Sequence, residues 1–364
     1  MLGWTGKILR IDLTKGNCSV EDLPSGLARD YIGGRGLGDR ILFDEIDPTI
    51  DALSPENKLI FATGPLTGTG VPAGGRFVVV GKSPLTGAVG NPCCGGYFGA
   101  NLKFAGYDAL ILEGKAPEPV YITVINDRVD LRPAARLWGK NATETEHAIR
   151  ADMGPEADRW EKNMLSIACI GPAGENLVRF ACVMADGGRA AGRSGMGAVM
   201  GSKNVKAIAS HGTGEVKVSD PEAFRKAVMG FYQEARKNKE LEKRSMWGTW
   251  SLPGRANKSK TQAAFNFKDG YFEPFTKFED PAYIRNMLRQ RDEGCFSCPF
   301  RCSKRAMIKD PEYPWTTKGP EHETMALVGS NCGIGDLQDI FRANYLCNEL
   351  GMDTITAGAT ISCA

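Results

Sequence analysis

The chain has 364 residues, 42% hydrophobic and 24% charged, with 45 basic and 43 acidic side chains and a net charge of +2. That length exceeds what one hydrophobic core normally serves, so two domains are expected. The charge balance gives no electrostatic pull toward nucleic acid or an anionic membrane, and no apolar run reaches the roughly 18 residues of a membrane helix.

The opening MLGWTGKILRIDL alternates apolar and polar residues and has no secretory core, so a cytoplasmic location is expected. Up to about residue 212 the pattern reads as β-structure. Lys7–Leu13 is a short strand, and Lys15-Gly16-Asn17 turns it into Cys18–Glu21. Lys58–Ala62, Arg76–Val80 and Ala109–Leu112 are compact apolar runs bounded by Gly or Pro. Val120–Ile125 and Val129–Leu131 flank Asn126-Asp127-Arg128 as a hairpin. A helix is expected over about Thr143–Met153. Met164–Ile170 and Leu177–Met184 flank the turn Gly171-Pro172-Ala173-Gly174.

From Ser219 the period becomes helical. Ser219-Asp220-Pro221-Glu222 joins a capping side chain, a first-turn proline and an acid at the positive helix end. Asp280-Pro281 starts a second helix, through about Gln290, and Gly335-Asp336 a third, stopped by Gly351. The change of period at 213–219 divides the chain into domains 1–212 and 213–364.

Eleven cysteines are many for a chain without an export signal, so metal ligation is the better reading of the clustered ones. Cys18, Cys169, Cys182 and Cys347 sit among apolar neighbours and are expected to be small core residues. Cys295, Cys298 and Cys302 form C-x2-C-x3-C, which lets three thiolates from one turn-rich segment converge. Tetrahedral zinc and a [4Fe–4S] cluster both take four thiolates, so spacing leaves the two open and requires a fourth ligand from elsewhere.

Three segments combine dense glycine with arginine: Gly33–Gly38 around Arg35, Gly64–Arg76, and Gly187–Gly197 with Arg189 and Arg193. Cys93-Cys94-Gly95-Gly96 is a fourth, without arginine. Each alone is readable as a tight turn. Glycine lets backbone N–H groups approach an anion and arginine adds bidentate phosphate contacts, so together they suggest a large phosphate-bearing cofactor. Neither a Walker A motif nor a convincing dinucleotide fingerprint is present.

At this point the sequence resembles the aldehyde ferredoxin oxidoreductase family. The resemblance is carried, in order, by Gly6-Lys7, Asp12-Leu13-Thr14, Phe61–Gly68, Gly75-Arg76, Lys82–Gly87, Ala105–Asp108 and Glu113–Lys115. Gly171–Asn176, Ala191–Arg193, Gly197–Asn204, the cysteine segment, Gly319–Thr324 and Gly351–Ile355 continue it. It implies an α+β fold: an N-terminal two-sheet β domain with a few helices, then an α-helical domain. It also implies a tungsten (or molybdenum) bis-pterin, a [4Fe–4S] cluster and a Mg²⁺ ion bridging the pterin phosphates.

By the same resemblance Arg76 lies between pterin and cluster, and Gly95, with Gly96, lies against the pterin. The backbone carbonyls of Cys93 and Ala190 hold Mg²⁺, and Arg189, Gly192 and Arg193 add contacts. The family's D-x-x-G-L-D pterin motif corresponds to Asn348–Asp353, with Asn348 for its first Asp and Met352 and Asp353 at its end. Cys295, Cys298 and Cys302 match three cluster ligands. Glu323 matches a carboxylate beside the metal, and His322 stands where others have Tyr.

The implied reaction is aldehyde plus water to carboxylate, with electrons leaving through the cluster to ferredoxin or another iron–sulfur carrier. A reductase of the benzoyl-coenzyme A type and a non-catalytic zinc scaffold are the alternatives. The family's chain is longer, and its remainder carries the second pterin motif, the fourth cluster cysteine and a histidine. A longer polypeptide, a second subunit or a homodimer is therefore expected to complete the fold. Cys332, Cys347 and Cys363 stand as other sources of the fourth thiolate.

Overall fold

The structure is a computed structural model and describes residues 1–154, 165–308 and 315–364. The chain divides into two compact units. One is Met1–Val228 with Cys295–Cys298 and Leu350–Met352, and the other is Met229–Gly294 with Pro299–Glu349 and Asp353–Ala364.

In the first unit, strands β1 (Lys7–Asp12), β2 (Asn17–Asp22), β3 (Leu59–Thr63), β4 (Phe77–Lys82), β5 (Val89–Gly90), β6 (Cys93–Cys94) and β7 (Ala109–Glu113) form one sheet. Its order is β2-β1-β7-β3-β4-β5, with β6 also on β4. Strands β8 (Val120–Ile125), β9 (Arg128–Pro133), β10 (Ser166–Cys169), β11 (Val183–Ala185), β12 (Arg189–Ala191) and β13 (Val205–His211) form a second, ordered β12-β11-β10-β13-β8-β9.

The inner strands β3, β4, β7, β10 and β13 are buried on both faces, which is why they read as near-unbroken apolar runs. Leu9, Phe61, Val79 and Leu110 of the first sheet share a core with Ile122, Val124, Ala168 and Ile208 of the second. The alternate residues Ile8, Ile60, Val78 and Ile111 face outward against Leu37, Ile41 and Leu42 of the Gly34–Glu45 helix. Tyr121, Ile167 and Ala209 do the same against Ile149 and Met153 of the Ala142–Met153 helix. That helix opens with a full capping box between Asn141 and Glu144. The result is four layers: helix, sheet, sheet, helix.

The structure departs from the sequence reading in several places. Gly33–Gly38 is not a free loop. It opens the Gly34–Glu45 helix, where an added Cβ at Gly38 would meet Val80 at 2.6 Å and one at Gly36 the Tyr31 carbonyl at 2.4 Å. Its glycines therefore serve close packing. Leu177–Met184 yields only Val183–Ala185 as strand, after a helical turn at Pro172–Glu175. Met164, taken as the start of a strand, lies outside the described residues. Cys18 is exposed, because β2 is an edge strand with every residue exposed. Cys169, Cys182 and Cys347 are buried as expected.

Asp108 ties the first unit together. Its carboxylate accepts from Thr5 N, Thr5 Oγ1 and Gly6 N, and pairs with Lys103 Nζ at 2.6 Å, both side chains being fully buried.

The second unit is built on Trp250, Phe272, Phe275, Phe278, Ile284, Ile340 and Phe341. The expected helices run over Pro221–Lys237 (its first part in the first unit), Pro281–Leu288 and Leu337–Leu350. A three-stranded antiparallel sheet joins them: β14 (Arg289–Glu293), β15 (Ser303–Met307) and β16 (Thr316–Lys318). Its strands carry few apolar residues. They are laced by charge instead, with Glu293 against Arg305 and Lys318 and Asp292 against Arg289 and Lys304. Burial would raise the Glu293 carboxyl, but Lys318 and Arg305 outweigh it and hold it down at about 2.

Replacing Asp108 by Asn leaves the buried Lys103 ammonium without its carboxylate, and we expect a loss of about 3–5 kcal/mol in denaturant unfolding.

Candidate metallopterin and cluster site

In the first unit, two edge strands lie side by side. Among the described residues, strand β6 pairs with β4 alone, through Phe77↔Cys94 and Val78↔Cys93, and β12 with β11 alone. Cys93 and Ala190 thus sit on strands that, among the described residues, are each paired along one edge.

The loop after β6 is defined by what an added side chain would strike. A Cβ on Gly95 would lie 2.8 Å from Cys295 Sγ and 3.2 Å from Arg189 Nη1. A Cβ on Gly96, where φ is +106°, would lie 2.4 Å from Asp186 Oδ2. The glycines therefore admit the β12 arginine on one side and the cysteine segment on the other. Phe296 fixes that segment: its N–H donates to the Gly96 carbonyl at 3.0 Å. Its ring packs edge-on against Phe104 and Tyr97, with centroids 5.5 and 6.4 Å away.

Arg76 precedes β4, and its Nη1 lies 3.6 Å from Cys93 Sγ. Its guanidinium pKa is raised, chiefly by the contact with Cys93, with Cys295 and Cys94 adding to it. Arg76 therefore sits within electrostatic reach of both the β6 loop and the cysteine segment. Gly192 follows β12, and its carbonyl accepts from Cys182 Sγ at 2.9 Å. Arg193 is exposed.

Asp186 was not singled out from sequence. Its Oδ2 accepts from Tyr97 N at 2.6 Å and Phe98 N at 3.1 Å, so it caps the Phe98–Phe104 helix and binds the loop before β12 to the loop after β6. Only the Asp-Gly-Gly turn hinted at it, since the partners are about ninety residues away.

The Asn348–Asp353 motif divides between the units. Gly351 and Met352 belong to the first: the Gly351 carbonyl accepts from Cys182 N at 2.8 Å, and Met352 bridges to Ala181. Asn348 and Asp353 belong to the second. The Asn348 amide donates to Thr317 Oγ1 at 3.0 Å and lies 3.5 Å from the Lys318 carbonyl. A carboxylate could not donate there, which accounts locally for the amide. Asp353 caps the Thr354–Cys363 helix, accepting from Ile355 N and Thr356 N.

Cys295 and Cys298 are half-buried in the first unit, whereas Cys302 is exposed in the second. Among the described residues no three His, Cys, Asp or Glu side chains converge as a metal requires.

In the second unit, His322–Thr324 form one helical turn that runs into a π-helical stretch, Met325–Gly329. Such stretches recur at functional sites. Glu323 is exposed, and the His322 N–H donates to Thr249 Oγ1 at 3.0 Å. The His322 Nδ1 is buried with no hydrogen-bond partner. Burial lowers the His322 pKa, opposed by the nearby Glu323.

With this geometry in hand, comparison with known proteins is decisive. The sequence pattern described as "Aldehyde ferredoxin oxidoreductase, N-terminal domain" matches residues 8–212, and that described as "Aldehyde ferredoxin oxidoreductase, domains 2 & 3" matches residues 226–364. The chain belongs to the aldehyde ferredoxin oxidoreductase family. It is 44% identical to a tungsten-containing aldehyde ferredoxin oxidoreductase of Pyrococcus furiosus over all of this chain and 58% of that protein. It is 32% identical to a P. furiosus aliphatic sulfonate oxidoreductase, WOR-like subunit, over 98% of this chain and 58% of that one. A solved structure, the active site complex BamBC of benzoyl coenzyme A reductase with 1,5-dienoyl-CoA, aligns at a TM-score of 0.82 and 29% identity. That alignment covers 99% of this chain and 55% of the other. The chain thus spans a little over half the length of the relatives it matches. The two-sheet α+β architecture is the family's.

A neutral His322 is favoured in the fold, while the unfolded imidazole binds a proton below its ordinary value of 6.5. Its contribution is therefore full above pH 6.5 and is lost as pH falls. We expect His322→Gln to flatten this part of the acid limb in urea unfolding between about pH 7 and 5.

Proposed function

We propose that this chain forms the greater part of a tungsten- or molybdenum-pterin oxidoreductase that oxidises aldehydes to carboxylic acids and passes the electrons to ferredoxin through a [4Fe–4S] cluster. The observation that carries the reading is the packing of Cys295 against Gly95 and Arg189. It brings a thiol of the cysteine segment onto the arginine- and glycine-lined edge where the pterin would sit.

The donors present suit the groups. Thiolates are the soft ligands an iron–sulfur cluster takes, and Cys295, Cys298 and Cys302 would supply three. The edge-strand carbonyls of Cys93 and Ala190 would hold Mg²⁺, a hard cation that prefers oxygen. Arg76, Arg189 and Arg193 would offset phosphate charge, with Gly95, Gly96 and Gly192 leaving room for backbone contact. Asn348, Met352 and Asp353 would close the pterin side. Bound, the metallopterin supplies a two-electron centre for oxygen transfer to the aldehyde carbon, and the cluster carries the electrons away.

The chain's own part in the chemistry is proton handling and shape. Glu323, at the start of a helical turn, would take up and release the proton at its carboxylate. His322, half-buried and neutral, would border the substrate side. The remaining two-fifths of the relatives' length would be supplied by a longer polypeptide, a second subunit or a second copy of this chain. The likeness to BamBC supports a second reading with the same fold, an aryl-thioester reductase.

Metal analysis of the intact protein is expected to find iron together with tungsten or molybdenum. Viologen-linked turnover is expected with aldehydes and not with aryl thioesters; the reverse preference moves the assignment to the reductase. In Glu323→Gln, kcat is expected to fall about 10²–10⁴-fold with metal content unchanged.

A further inference from the structure

The second unit carries a concentration of positive charge that the proposed chemistry leaves unused. Residues 229–260 hold eight basic side chains against three acidic ones, in a chain whose net charge is +2. Much of this charge lies on the Lys239–Trp247 helix and the Pro253–Lys258 helix.

Two clefts flank the Lys239–Trp247 helix. One, about 450 Å³, is lined by Lys243, Arg244, Arg255 and Lys258, with Trp247 among its walls and Glu240 and Glu279 as its acidic members. The Lys243–Glu240 pair is 2.8 Å long but exposed on both sides, so it neutralises little. The other cleft, about 270 Å³, is lined by Tyr232, Arg236, Leu241, Pro299 and Phe300 among others. Aromatic and arginine walls of this kind are typical of binding hot spots.

This surface adjoins the cysteine segment. Pro299 and Phe300 lie between Cys298 and Cys302 in sequence. An added Cβ on Gly248, the residue after the basic helix, would lie 2.2 Å from the Cys302 carbonyl. Lys304 Nζ donates to Ser245 O at 2.6 Å and to Arg301 O at 3.1 Å, fastening helix and segment together.

Resting on the function proposed above, we infer that the Lys239–Trp247 helix and its two clefts are the docking face for an acidic iron–sulfur electron carrier. The aromatic cleft beside Pro299-Phe300 would seat an apolar side chain of the carrier. The Lys243, Arg255 and Lys258 rim would steer its acidic surface, as charge-complementary rims do. An electron leaving near Cys302 would then cross directly to the bound carrier.

The test measures binding rather than turnover. Intact wild-type protein, the double variant Lys243→Glu/Arg255→Glu and the control Lys15→Glu are titrated with a purified, strongly acidic ferredoxin at several salt concentrations. We expect the double variant to raise Kd about tenfold or more and to flatten its salt dependence, with the control unchanged. Viologen-linked aldehyde turnover, which needs no docked protein, is expected to stay the same in all three. An unchanged Kd in the double variant overturns the inference. So does absence of ferredoxin binding to the wild type, or occupancy of the basic cleft by inorganic phosphate alone. Loss of dye turnover with ferredoxin binding intact would count against the functional reading and leave the docking face standing.

Discussion

Gly95 and Gly96 have no side chains, and other parts of the first unit occupy the room this leaves. Arg189 comes in from β12, Cys295 from the cysteine segment and Asp186 from the turn before β12. Each approach is closer than a Cβ permits, so the site depends on two positions where only hydrogen fits. At Gly96 the backbone adds a second reason, since φ of +106° strains any L side chain. Asp186 then converts proximity into structure. Its carboxylate accepts the first N–H groups of the Phe98–Phe104 helix, where negative charge is favoured by the helix dipole.

This arrangement explains why the sheets matter to the chemistry. An interior strand spends both of its backbone edges on neighbours, whereas an edge strand keeps one open. Strands β6 and β12 are short edge strands brought side by side by the shared core of the two sheets. The sandwich therefore presents two unpaired backbone edges together, flanked by arginines.

Much of the fold was legible because it rests on local signals. Compact apolar runs bounded by Gly or Pro gave β3, β4, β7 and β8 to within a residue or two, and the Asp-Pro starts gave the Pro221–Lys237 and Pro281–Leu288 helices. The failures share a cause, which is that tertiary contact set the outcome. Gly33–Gly38 looks like a loop but forms the first turn of a helix whose glycines let it lie close to Val80 and Ala62. Strands β14 and β15 looked like helix end and coil because cross-strand charge, not apolar alternation, holds them. At the site, the cysteine spacing and the arginine–glycine segments were visible, and the family resemblance assigned them roles. Asp186 and Phe296 were not, because their partners are distant in sequence. Of the adjacent Cys93 and Cys94, Cys94 is buried in the core, where burial pushes its thiol pKa well up. Only Cys93 faces Arg76.

Arg76 shows why a guanidinium suits this position better than an ammonium. It is exposed on one side and lies against Cys93 on the other, within reach of Cys295. A lysine offers one compact charge whose pKa burial pushes down, as it lowers that of Lys103 and brings that of Lys203 to about 7. Arginine keeps its charge, and its five donors can serve a thiol, a phosphate and a carbonyl together. A centre that gains and loses electrons changes its own charge at each step. If such a centre sits beside Arg76 as proposed above, a fixed positive charge that does not titrate would keep that change from being answered by proton uptake at the same residue. In the function proposed above, electrons would leave past Arg76 and the proton would be handled at the Glu323 carboxylate, so the two transfers would run through different groups.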